Sequence, residues 1–402
     1  MAEFLSPRAS RIEASPASVL RRRARELRAA GRDVIELSSG DLDFPTPEHV
    51  TAAAHRAAQR GETRYTNVDG TPELKDAVRE TFRQNGLAYA RNEIIICNGS
   101  TQALANAFLA TLRDGDEVIV PAPYWAPYLA QTRLADGTPV PVPCPQNNGF
   151  KLNAEDLRAA ITAQTRWVVI NNPVNPSGAV YTSAELSAIA AVLKDHPDIW
   201  VLADGLYERI VFNGCSAPTI AAVEPRLKER TLTVSGVAKT YAMMGWRVGY
   251  AGGPAPLIDA MTNIQSQTTS GASSISQAAA LAALTGPQDL IAERAAILAR
   301  RRDTFIASLN RCPGLSCPYP DGTFYALVSC AGLIGAKTPV GSRIETDRDV
   351  AAYLLEAVDV AVVAGADCGV SPHVRASFAL PAERLAEAAA RIERACVALN
   401  GG

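Results

Sequence analysis

From residue 93 to residue 234 the chain alternates short, continuously apolar runs with longer polar and helical stretches. The runs fall at 93–97, 117–120, 139–142, 167–170, 200–203 and 231–234. Each is too short for a helix and shows no polar face. Strands of that kind are buried on both sides, as in a mainly parallel sheet with helices on its two faces. Helices are expected between them at 98–112 and 183–194. At 402 residues the chain exceeds the roughly 250–300 at which one core stops growing, so a second unit is expected. It is read from a long helix at 287–309, strands at 323–328, 360–363 and 374–378, and helices at 347–357 and 381–399. The N-terminal part reads as a helix with Ser15 as cap, Pro16 at its first position and Gly31 at its end. A strand at 33–37 and helices at 47–60 and 72–84 follow. The expected fold class is α/β, with a large domain at 45–300 and a smaller α+β domain formed by 1–44 and 301–402.

In sheets of this type, ligands are held beyond the carboxyl ends of the strands. Right-handed crossovers bring those ends to one edge. Thr101, Trp125, Asn175, Asp204 and Lys239 each follow an apolar run. Lys239 lies in Ser235-Gly236-Val237-Ala238-Lys239-Thr240-Tyr241, among small and apolar neighbours, with Arg247 downstream. Burial disfavours the charged form of a lysine, and the free amine then forms Schiff bases with carbonyl compounds. Gly99-Ser100-Thr101 opens a helix, where backbone N–H groups and hydroxyls hold phosphate, and the Arg247 fork suits the same oxyanion. Asp204 would keep a pyridine nitrogen protonated. Trp125 would stack on a ring, and Asn175 and Tyr207 would bind its phenolic oxygen. Arg375, in a strand-like run, needs an anion if buried, and a substrate α-carboxylate would serve. These are the parts that a pyridoxal phosphate (PLP) site requires. Each residue also has a plainer reading: a solvated lysine, a capping aspartate, a core tryptophan, loop side chains, a structural salt bridge for Arg375.

Composition narrows the function further. Hydrophobic residues make up 48%, charged residues 20%, and the net charge is -2. No cationic excess exists to bind a phosphate backbone, so no nucleic-acid partner is expected. No apolar run approaches the ~18–20 residues of a membrane span, and the N-terminus lacks the basic start and apolar core of a signal peptide. A cytoplasmic location is expected. The eight cysteines have neither CxxC nor zinc spacing, and the four histidines are scattered. Reduced thiols and no metal are therefore expected. The arginines at 21–23 and 300–302 read as solvated helix faces.

Taken in order, the motifs resemble those of fold-type-I PLP enzymes. They are most similar to class-I aminotransferases near the bacterial aspartate aminotransferase branch. The resemblance rests on Asn172-Pro173-Val174-Asn175-Pro176-Ser177-Gly178, on Asp204-Gly205-Leu206-Tyr207-Glu208 and on Ser235 to Tyr250. It runs from Ser38-Ser39-Gly40-Asp41 to the Arg375 segment. It implies a mainly parallel seven-stranded sheet. It implies that Lys239 carries PLP and shuttles the proton between substrate Cα and cofactor C4′. Asp204 becomes the pyridine partner, Asn175 and Tyr207 the phenolic-oxygen partners and Trp125 the platform. Gly99, Ser100, Thr101 and Arg247 fall on the phosphate cup, and Gly40 and Arg375 on the substrate carboxylate. Tyr65 falls on a residue reaching a neighbouring subunit's phosphate, which implies a homodimer with shared sites. The substrates implied are an amino acid and a 2-oxo acid.

The chain departs from that pattern in four places. Thr101 stands where dicarboxylate-specific members carry a lysine. Gly271-Ala272 replaces Asn-Pro, Ala364 and Cys368 replace a proline and an aromatic residue, and Gly205 replaces a residue that is commonly acidic. These departures imply an amino donor other than aspartate. Two alternatives stand beside transamination. One is another PLP reaction at Cα or Cβ, elimination or oxidation, since the same carbanion precedes each. The other is a ligand-sensing domain of the type fused to transcription regulators, although the 30 residues ahead of the fold leave no room for a helix-turn-helix.

Overall fold

The computed structural model describes residues 4, 6–12 and 16–400. Ser15, expected as a helix cap, lies outside them. The helix Pro16–Ala29 leads into β1 (Ile35–Glu36), and the helices Glu48–Gln59 and Pro72–Gln84 follow.

The central sheet is built from β2 (Ile94–Cys97), β3 (Glu117–Ala122), β4 (Thr138–Pro143), β5 (Thr165–Asn171), β6 (Trp200–Asp204), β7 (Thr231–Gly236) and β8 (Gly249–Gly252). Their order is β2-β8-β7-β6-β5-β3-β4. β8 is antiparallel to both its neighbours, and every other pairing is parallel, so six strands run one way. The mainly parallel seven-stranded sheet is thus present. The inner strands are apolar at their centres because both faces are covered there, while the edge strand β4 is largely open. Trp167, Val169, Leu202 and Val234 pack with Ala103, Phe108 and Met261 on one side, while Val168, Ile170, Val201 and Ala203 pack with Leu186, Ile189 and Leu193 on the other. Fully burying one such aliphatic side chain contributes about 1.5–3 kcal/mol. The helix Ser183–Lys194 starts at a reciprocal cap: Thr182 Oγ1 accepts from Glu185 N, and the Glu185 carboxylate accepts from Thr182 N.

Beyond the sheet, β9 (Tyr325–Ser329), β10 (Val360–Ala361), β11 (Val363–Ala364) and β12 (His373–Ser377) complete the strands. β11, β12 and β9 form an antiparallel sheet, while β10 pairs with β1 in parallel. The run 360–363, expected as one strand, is therefore two. The chain changes partners at Val362, so one apolar stretch serves two sheets. The helices Asp289–Leu309, Asp347–Val358 and Ala382–Asn400 cover these sheets. Phe305, Ile306, Tyr325, Val350, Phe378 and Ile392 share the resulting core with Tyr207 and Phe212 from the first half.

One surface expectation is overturned. Arg302 is 3% exposed. Its guanidinium donates to Pro320 O at 2.9 Å and to Asn213 Oδ1 at 3.2 Å, and lies 4.7 Å from the Phe212 ring centre. Arg301 makes a paired bond to Asp43 at 2.7 Å on both nitrogens. Of this trio only Arg300 is exposed. A run of like charge says nothing about which residue turns inward on a helix whose successive side chains point 100° apart. Arg22 and Arg23 are exposed as expected.

Candidate active site

The parallel strands deliver their carboxyl ends to one edge, and a cavity of about 380 Å³ opens there. Thr101, Trp125, Asn175, Asp204 and Lys239 all line it, joined by Gly40, Gly99, Ser100, Tyr207, Arg247 and Arg375. Every expected site residue except Tyr65 is therefore in one place. Tyr65 is 95% exposed and away from the cavity.

Lys239 follows β7 within the short helix Val237–Thr240. It is half-buried rather than buried, because its side chain enters the cavity. Nζ donates to Gly40 O at 2.6 Å and lies 5.8 Å from the Phe324 ring centre. A side chain at Gly40 would press on this contact, since a Cβ there would lie 2.9 Å from the Tyr325 hydroxyl and 3.4 Å from Nζ.

Asp204 ends β6 and is 5% exposed. Tyr128 donates to its Oδ2 at 2.6 Å, and the Leu206 N–H donates to Oδ1 at 3.0 Å. Burial pushes this carboxyl above its ordinary value, against the pull of both hydrogen bonds. A cationic N–H donor in the cavity would favour the ionised form.

At the other end, the helix Ser100–Thr111 points its N-terminus at the cavity. The Ser100 hydroxyl donates to Ser235 O at 2.8 Å. Arg247 is exposed to the cavity, its Nη1 donating to Met244 O at 2.9 Å. No carboxylate comes within 4.0 Å of it among the described residues. Free helix N–H groups beside an unpaired guanidinium make an anion cup.

Arg375 is the second such group. It is 7% exposed, donates to Ser38 O at 2.8 Å and to Asn175 Oδ1 at 3.3 Å, and stacks 4.5 Å from the Tyr325 ring centre. Its Nε has no partner. A buried guanidinium with an orphaned N–H awaits an anion. Asn175 is held by its N–H on Asn171 Oδ1 at 2.7 Å. The Tyr207 and Tyr325 hydroxyls meet at 3.2 Å, and burial raises both phenols above their ordinary value. Trp125 stands edge-on to Tyr128, with ring centres 5.4 Å apart.

The sequence of residues 32–392 matches the family aminotransferase class I and II. The chain belongs to that family. It is 52% identical to the aspartate aminotransferase of Rhizobium meliloti strain 1021, over 94% of this chain and 92% of the relative. It is 49% identical to the aspartate/prephenate aminotransferase of Cereibacter sphaeroides, over 99% and 100%. The crystal structure of a Rhizobium meliloti aspartate aminotransferase superposes with a TM-score of 0.96 at 51% identity, covering 98% of this chain and 99% of that one. The Thermus thermophilus aspartate aminotransferase with maleate superposes at 0.90 with 39% identity, covering 97% and 99%. This aminotransferase is PLP-dependent and moves an amino group between an amino acid and a 2-oxo acid. The cavity suits the cofactor: a buried acid at one end, an anion cup at the other and an amine between.

Sequence reasoning missed several residues of the aminotransferase site. Tyr128 falls one helical turn after Trp125, and that spacing was the available signal. Ser38 acts through its carbonyl, Asn171 through its side-chain oxygen and Tyr325 through its ring, contacts that residue type and spacing do not reveal. Of the departures, Thr101 and Cys368 line the cavity, whereas Gly205, Gly271 and Ala364 do not. Gly271 (φ 107°) instead abuts Val68 in the loop that carries Tyr65. Among the described residues no group of three His, Cys, Asp or Glu side chains is placed to hold a metal, and no helix is long and apolar enough to cross a membrane.

Proposed function

We propose that this aminotransferase takes an acidic amino donor and that the residues act as follows. Lys239 Nζ carries the cofactor covalently and moves a proton to and from the substrate Cα. Asp204 holds a proton on the pyridine nitrogen, with Tyr128 holding Asp204. Asn175 and Tyr207 bind the phenolic oxygen, and Trp125 supports the ring. Gly99, Ser100, Thr101 and Arg247 bind the phosphate. Arg375, beside Gly40, binds the substrate α-carboxylate and so aims its Cα. When bound, PLP supplies the electron sink that stabilises negative charge at that carbon. The observation that carries the reading is the convergence of Lys239, Asp204, Arg247 and Arg375 on one cavity.

Thr101 and Cys368 favour a donor other than aspartate. The relatives favour an acidic one: two are named for aspartate, and the Thermus thermophilus enzyme was crystallised with the dicarboxylate maleate. With Lys239, Arg247 and Arg375 assigned to cofactor, phosphate and α-carboxylate, no lining cation remains for a second carboxylate.

We further propose a homodimer in which Tyr65 reaches the partner's phosphate cup, supported by its exposure away from this chain's own cavity. The division into 45–300 and 1–44 with 301–402 is likewise proposed. A cytoplasmic location is supported by eight cysteines, none of them in a disulfide. The test mixes the PLP-loaded enzyme with a panel of amino acids and identifies each 2-oxo acid by mass. Lys239→Ala is expected to remain folded and to yield none. Conversion by that variant at the wild-type rate would refute the assignment, and ammonia release without an amino acceptor would favour elimination.

A further inference from the structure

The charged groups lining the cavity are Lys239, Arg247, Arg375, Asp204 and one more, Asp367. The first four have roles in the proposed chemistry. Asp367 has none, and an anion on the substrate wall opposes an acidic donor. Its position is well defined. It lies in the turn Gly365–Cys368 that follows β11, and in β11 Val363 stands opposite Arg375. The turn is tied down on both sides. Tyr124 N donates to Cys368 O at 2.9 Å. The buried Asp347 accepts from Ala366 N at 3.0 Å, Ser371 Oγ at 2.7 Å and His373 N at 3.3 Å. The next residue, Arg348, donates to Asp367 Oδ1 through Nε at 3.1 Å and Nη2 at 2.7 Å. The Arg348 side chain is 66% exposed and that of Asp367 16%, so the pair sits at the cavity rim.

We propose that Asp367 and its counter-ion Arg348 set the charge preference for the donor's side chain. Paired, they present a neutral wall beside Arg375, which admits a second carboxylate in a cavity where Thr101 provides no cation. Without Arg348 the bare carboxylate of Asp367 repels it. This rests on the reading above, in which Arg375 takes the α-carboxylate. Arg348 is largely exposed and Asp367 only partly so; urea unfolding of each variant checks that the fold is kept.

The test is steady-state kcat/KM of the PLP-loaded enzyme with aspartate and with alanine, and the readout is their ratio. Arg348→Ala is expected to lower the aspartate-to-alanine ratio by about threefold to tenfold, the effect of one unbalanced charge several ångströms away in a partly wet site. Asp367→Asn is expected to raise it. The double variant removes both charges and is expected to fall between the two single variants. A merely structural role would move both substrates together and leave the ratio unchanged in all variants, which overturns the proposal. So would equal shifts in the same direction for both single variants. Failure of the underlying reading shows elsewhere, as an Arg375→Lys enzyme whose KM for aspartate and alanine is that of the wild type.

Discussion

Replacing Tyr128 by Phe removes one oxygen and keeps the ring. The Tyr128 hydroxyl donates to Asp204 Oδ2 at 2.6 Å, and only the Leu206 N–H serves the other oxygen. Tyr128 is 2% and Asp204 5% exposed, so little solvent reaches the carboxylate to replace the lost donor. A hydrogen bond to an ionised group is worth about 1.5–3 kcal/mol. That loss falls on the ionised carboxylate and hardly on the protonated one. Burial already raises the Asp204 pKa in the folded protein. A group raised on folding stabilises fully below its unfolded pKa, and the contribution is lost as pH rises through the folded one. Tyr128→Phe deepens that loss. The stability gap between cofactor-free wild type and variant should therefore be small at acid pH and grow to about 1.5–3 kcal/mol once Asp204 is ionised. Urea unfolding of both proteins from about pH 4 to about pH 8 reads it, a range that starts near the ordinary carboxylate pKa. With the cofactor bound, the same loss lowers kcat/KM by about 10–100-fold, at 1.4 kcal/mol per factor of ten. A gap that is absent, or constant across the pH range, would refute the role given to Tyr128.

Two further expectations follow from packing. Arg302→Ala removes a buried guanidinium that bonds Pro320 O, Asn213 Oδ1 and the Asp303 carboxylate, and should cost about 2 kcal/mol in urea unfolding. Arg300→Ala, on the exposed face two residues earlier in the same helix, should stay within about 0.5 kcal/mol; equal effects would contradict the burial difference. Gly249→Ala places a Cβ 2.6 Å from Gly99 C and Ser100 Cα, both backbone atoms. The helix start must shift, with an overpacking cost of about 1–3 kcal/mol. Titration of the cofactor-free protein with PLP should show weakened binding, and unchanged affinity would argue against the phosphate cup.

Much of the site was legible because its chemistry is tied to strand ends. Asp204 and Lys239 follow apolar runs whose direction a parallel sheet dictates, so their order along the chain already placed them on one edge. Arg375 was readable as an arginine in an apolar strand, although its orphaned Nε emerged only from the packing of Ser38, Asn175 and Tyr325 around it. Tyr128 was not read, since a buried tyrosine one turn past a tryptophan looks like core until its hydroxyl is seen against a carboxylate. The helices Ala255–Thr268 and Ser274–Thr285 also escaped notice. Their small residues and hydroxyls lack the strong two-sided pattern that marks an amphipathic helix.

By itself, the sequence determined the sheet, the position of Lys239 at a strand end and the class of cofactor. Local patterning and residue type suffice for these, because apolar runs and turn residues act over a few positions. The tertiary structure decided which of three adjacent arginines turned inward, where the run 360–363 divided between two sheets, and that Asp367 met Arg348 at the cavity rim. Each of those depends on contacts between segments tens to hundreds of residues apart, and no local pattern encodes how distant surfaces fit together.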